Sequence, residues 1–76
     1  MNNSELFRQG KIFEEQGDAE KAYRYYLEAA ISEDDGEAMY ALAEMYYETD
    51  PFNEDIYKAG HYFGLAYDRG VEIKAR

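Results

Sequence analysis

The chain repeats itself, and that repetition constrains its fold more than any other feature. The stretch KAYRYYLEAAIS, from Lys21 to Ser32, returns as KAGHYFGLAYDR, from Lys58 to Arg69. Lys21-Ala22 matches Lys58-Ala59, Tyr25-Tyr26 matches Tyr62-Phe63, and Ala29 matches Ala66, each 37 positions on. Upstream, Gly10 and Phe13 lie 33 positions before Ala43 and Tyr46. The two spacings differ by four residues, which places an insertion in the loop around Pro51. Self-similarity at a period of about 34 to 38 residues marks a repeat architecture in which one helical hairpin stacks on the next.

Local signals divide the chain into four helices, at about 4–16, 19–32, 37–48 and 54–69. Ser4 is a candidate N-cap, and Leu6, Phe7, Gly10 and Phe13 share one stripe of the first helix. Gly10 in mid-helix costs about 1 kcal/mol relative to alanine, which points to the close approach of a neighbour. Gly17 suits a left-handed helix end, and Asp18 suits the next N-cap. Ala22, Tyr26, Ala29 and Ala30 form a small-residue stripe around one ring, which lets another helix come close. Glu33-Asp34-Asp35-Gly36 reads as a loop, with Gly36 as a C-cap or turn glycine and Asp35 as a candidate N-cap. Met39, Leu42, Ala43 and Tyr46 mark one side of the third helix. Pro51 stops that helix, and Gly70 is placed to end the fourth. Valine occurs once, threonine once and isoleucine four times, which is poor material for a sheet. The reading is all-α: two antiparallel helix hairpins stacked as a short α-solenoid, in one domain spanning 1–76. Repeat one covers about 3–35 and repeat two about 36–72, with the start of a third at 73–76.

At this point the residues resemble a known family. Gly10, Phe13, Ala22, Tyr26 and Ala29 in repeat one, and Leu42-Ala43, Tyr46, Ala59, Phe63 and Ala66 in repeat two, are similar to the tetratricopeptide signature. The longer loop of repeat two and the phrases YYLEAA and ALAEMYYE look more like the Sel1-like subfamily. Ala29-Ala30 matches that subfamily's alanine pair, whereas repeat two has Ala66-Tyr67 and places Ala43 where glycine is common. Both the Sel1-like and the plain tetratricopeptide readings stay open. The resemblance implies that the first helix of each hairpin lines a concave groove. Carried over, it places Ser4, Phe7, Lys11 and Glu14 there from the first helix, and Glu37, Tyr40, Glu44 and Tyr47 from the third, with Glu48 beside them.

The charge says what could dock on such a groove. The chain carries 17 acidic and 8 basic residues, a formal net charge of −9, and no Lys or Arg between Arg24 and Lys58. Such a field repels nucleic acid and anionic membranes and attracts a basic partner. Tyr40 and Tyr47 would add aromatic area and cation–π contacts to the acidic strip. The expected function is therefore a non-enzymatic protein–protein interaction module, a scaffold or adaptor that holds a basic protein or peptide on an acidic, aromatic concave face. The alternative is a small acidic inhibitor, a nucleic-acid-mimicking decoy that occupies a basic site on its target. Self-association through the uncovered face of the fourth helix is a further expectation, because a solenoid's last apolar face needs a cover.

Chemistry is sparsely provided. His61 is the single histidine, and a lone helix histidine is usually a surface or packing residue. Ser4, Ser32 and Thr49 stand in no nucleophile motif, and no Gly-rich phosphate loop occurs. The acidic runs at Glu33–Glu37 and Asp50–Asp55 lack EF-hand ligand order. No catalytic residue, metal or cofactor is expected. Without cysteine, and with no leader-like apolar run in MNNSELFRQGK, the chain reads as cytoplasmic.

Overall fold

A computed structural model of the chain describes residues 4–48 and 56–72. These form α1 (Glu5–Glu15), α2 (Ala19–Glu33), α3 (Gly36–Glu48) and α4 (Ile56–Asp68), with no strand among the described residues. The first hairpin packs α1 on α2, the second packs α3 on α4, and α2 meets α3 between them. The Pro51 loop, the start of the fourth helix before Ile56 and the third-repeat start at 73–76 lie outside the described residues.

The helix ends follow their cap residues. Ser4 Oγ accepts from the Phe7 N–H at 3.0 Å, and Asp18 Oδ1 accepts from the Lys21 N–H at 3.2 Å. Gly17, at φ 83°, ends α1 in the left-handed region, with the Gly17 N–H on Glu14 O and the Asp18 N–H on Phe13 O. Gly70, at φ 86°, ends α4 through the same pair of bonds: Gly70 N–H to Tyr67 O and Val71 N–H to Ala66 O. Both are Schellman motifs, which satisfy the last carbonyls of a helix.

The α2–α3 turn corrects one expectation. Gly36 is not the left-handed residue; Asp34 is, at φ 53°. Asp tolerates that region better than most side chains do. The Arg69 guanidinium holds the Asp34 carboxylate from Nε at 2.9 Å and Nη2 at 2.7 Å. That pairing holds the Asp34 carboxyl below the usual range, first by the hydrogen bond. Gly36 opens α3 directly after Asp35, whose Oδ1 accepts from the Glu37 N–H at 2.9 Å. A β-carbon on Gly36 would lie 2.9 Å from a Val71 methyl and 3.1 Å from Arg69 Cβ. The glycine is there for space rather than for backbone angle.

The core joins the two stripes read from the sequence. Ala22, Tyr26, Ala29 and Ala30 of α2 are buried, as are Met39, Leu42, Ala43 and Tyr46 of α3, and Ala59 and Ala66 of α4. The sequence repeat is also a repeat of contacts. Phe7 meets Tyr26 with ring centroids 5.6 Å apart, and at the repeat offsets Tyr40 meets Phe63 at 5.8 Å. Phe13 stacks on Tyr25, as Tyr46 stacks on Tyr62. Lys21 Nζ lies 5.3 Å from the Phe13 ring centre, and Lys58 Nζ lies 5.6 Å from that of Tyr46. Three kinds of contact recur with the same offsets, so the two hairpins are built alike.

Candidate functional site

The sequence singled out one helix face on α1 and its equivalent on α3. The structure ties these helices together at their N-terminal caps. At their N-termini, the Ser4 N–H donates to Asp35 Oδ2 at 3.3 Å. Further along, α1 reaches the Tyr26 hydroxyl of α2. That hydroxyl donates to the Glu14 carboxylate, and Glu15 and Glu44 also act on it through their charge. Burial comes first among the causes that push the Tyr26 phenol above its ordinary range, and the bond to Glu14 comes second. One carboxylate, that of Glu14, therefore lies on a buried phenol, and the charges of Glu15 and Glu44 act on it from further off. Lys11 on α1 and Glu37 on α3 are exposed along the same helices, Glu44 is half-buried, and Tyr47 is 51% exposed.

Two of the expected groove residues belong elsewhere. Phe7 is buried at 8% exposure, its ring against Tyr26, so it is a core residue and not a contact surface. Tyr40 is half-buried edge-on to Phe63, the equivalent contact in the second hairpin. Both rings fill the space inside a hairpin, because an aromatic at that position reaches its partner helix before it reaches solvent. Ser4 spends its hydroxyl on the α1 cap. The Glu48 side chain lies outside the described residues.

A second cluster went unread in the sequence. Phe13, Lys21, Arg24, Tyr25 and Glu28 line an open groove of about 380 Å³ beside the first hairpin. The signal was the spacing of Lys21, Arg24, Tyr25 and Glu28, which share one outer face of α2. His61 is exposed and lies edge-on to Tyr62, as a packing residue would. Among the described residues no group of His, Asp or Glu side chains is arranged to hold a metal ion, and no helix is long and apolar enough to cross a membrane.

No family model, curated protein or solved structure matches the chain.

Proposed function

We propose that the chain is a non-enzymatic protein–protein interaction module of the Sel1-like or tetratricopeptide kind, and that it holds a basic segment of a partner protein. The observation that carries this reading is that half-buried Glu44 and exposed Glu37 stand on the same helix as half-exposed Tyr47, with Glu14 of α1 hydrogen-bonded to the Tyr26 hydroxyl. The binding residues in this reading are Lys11, Glu14, Glu37, Glu44 and Tyr47. A Lys or Arg side chain laid there would meet carboxylates through charge and the tyrosine through its ring face. Rigid presentation by packed hairpins limits the entropy lost on binding.

A panel of Lys- and Arg-bearing peptides, titrated against the chain by calorimetry, tests this. Tyr47→Ala is expected to weaken the best binder about tenfold while leaving the helical circular dichroism unchanged. Undiminished binding by that variant, or no preference for basic over acidic peptides, would rule the reading out. The decoy reading draws on the same charge, since α3 carries Glu37, Glu44 and Glu48 and no basic residue. A decoy would keep its affinity in Tyr47→Ala and lose it steeply with salt.

A further inference from the structure

We infer that the outer face of α4 is a docking surface for a second copy of this chain, and that the two α4 helices meet antiparallel about a two-fold axis. This inference stands independently of the acidic strip. The internal repeat shows what the face is for. On α2, Tyr23 reaches across to Tyr46 of α3, where the two hydroxyls share a hydrogen bond and the rings lie edge-on at 5.8 Å. Leu27, half-buried against the core, and buried Ala30 continue the Tyr23 stripe. Thirty-seven positions on, the equivalent residues are Gly60, Gly64 and Tyr67. Nothing lies within 4 Å of a β-carbon built on either glycine, and Tyr67 is 71% exposed. Ile56 and Tyr57 extend this open face, at 61% and 88% exposure.

Three observations select a second copy as its occupant. First, the face matches itself. Tyr57 and Tyr67 are equidistant from position 62, and so are Gly60 and Gly64. An antiparallel pair centred there sets Tyr57 of one copy against Tyr67 of the other and the glycines against each other. Glycines in the middle let the helix axes approach to about 8 Å, and the tyrosine pairs close the two ends. This is the isologous contact that two-fold dimers use. Second, charge permits it. α4 carries one Lys and one Asp, so it has no net charge, whereas α3 carries only Glu among its charged residues. In a chain of net charge −9, the neutral helix is where two copies can approach. Third, head-to-tail stacking is blocked. It would put α1 of one copy where α3 sits on α2. The α1 residues equivalent to fully buried Ala38 and Leu42 are Glu5 and Gln9, which are hydrogen-bonded to each other, with Glu5 also paired to Arg8. At the two positions that are fully buried on α3, α1 therefore presents polar side chains, although exposed Ile12 stands where α3 has buried Met45.

Light scattering across a concentration series up to about 1 mM should show the mass moving from 8.9 kDa towards twice that value. Added salt should strengthen the association by screening the charge of each copy, the opposite of its effect on a basic partner. The double variant Gly60→Glu, Gly64→Glu adds side chains that meet open space within one chain but bring four carboxylates together in the pair. It should stay monomeric at every concentration with its helical circular dichroism intact. Orientation is read by thiol cross-linking in this cysteine-free chain. A mixture of Tyr57→Cys and Tyr67→Cys should cross-link, and Tyr57→Cys alone should not, because its two thiols would sit about 15 Å apart along the axis. A wild-type chain that stays monomeric to about 1 mM overturns the inference and leaves the face to a helix of other sequence. A dimer that survives the double glutamate variant, or one in which Tyr57→Cys cross-links to itself, overturns it equally.

Discussion

Tyr26→Ala is expected to move the unfolding transition to much lower urea, by about 3–5 kcal/mol of stability. Tyr26 is fully buried at the centre of the first hairpin, its ring against Phe7 and against the α1 backbone at Gly10. Truncating a buried aromatic costs about 3–5 kcal/mol. A domain of this length has roughly 4–11 kcal/mol in all, so at least about a quarter of its stability goes with the ring. Urea titration followed by circular dichroism is the check; a sharp transition near the wild-type midpoint would contradict the central role of the ring. Tyr26→Phe separates the ring from the hydroxyl. It loses the bond to Glu14, which is solvent-exposed and can turn to water, so the expected cost is only about 1 kcal/mol.

The same hydroxyl sets an alkaline limit. Burial, the bond to Glu14 and the neighbouring glutamates all raise the Tyr26 phenol. Burial, and then the charge of Tyr23, raise Tyr62. A group whose folded value lies above its unfolded one stabilises the fold fully below the unfolded value and loses that contribution above it. Stability should therefore be level up to about pH 10 and then fall, by about 1.4 kcal/mol per pH unit for Tyr26, with Tyr62 adding to the fall in the same direction. Tyr26→Phe should make that fall shallower. An unchanged slope in the variant would mean that Tyr26 ionises in the folded chain as freely as in the unfolded one.

The repeat carried most of the fold in plain view. Offsets of 33 and 37 residues, read from Gly10, Phe13, Lys21 and Tyr25, pair the same side chains that make equivalent contacts in the two hairpins. Caps at Ser4, Asp18 and Asp35 were legible because a short polar side chain before an apolar stripe has few other uses. The α2–α3 turn was not, because glycine is the usual left-handed residue and Asp34 takes that place only with Arg69, 35 residues away, holding its carboxylate. The site divided in the same way. The family resemblance implied Phe7, Lys11 and Glu14 on one groove face, but a sequence pattern does not say how far an aromatic leans across a hairpin. The reach of Phe7 to Tyr26 and of Tyr40 to Phe63 is a tertiary distance. The bond of the Tyr26 hydroxyl to Glu14 is another, since it joins α2 to α1 across 12 positions.

Gly10→Ala should lower stability and Gly64→Ala should raise it, although helix propensity predicts the same gain for both. In an exposed helix interior, alanine is worth about 1 kcal/mol over glycine. At Gly64 nothing opposes that gain, since the added β-carbon meets open space. At concentrations where the chain is monomeric, the melting temperature should rise by about 4–8 °C. At Gly10 the β-carbon would lie 2.6 and 2.7 Å from Tyr26 Cε1 and Cδ1. That ring cannot step aside: it is enclosed, it leans on Phe7, and its hydroxyl is tied to Glu14. Overpacking of this kind costs about 1–3 kcal/mol, so the net effect of Gly10→Ala is a loss of up to about 2 kcal/mol after the helix gain. The second hairpin shows how the conflict is avoided, because at the equivalent positions it pairs Ala43 with Phe63. Phe63 carries no hydroxyl, and it is less buried than Tyr26. Copying that pair into the first hairpin, as Gly10→Ala with Tyr26→Phe, frees the ring from its anchor on Glu14. The double variant should then be more stable than the sum of the two single losses predicts, with a coupling of about 0.5–1 kcal/mol. Strict additivity in a double-mutant cycle would show that the anchor on Glu14 does not hold the ring against Gly10.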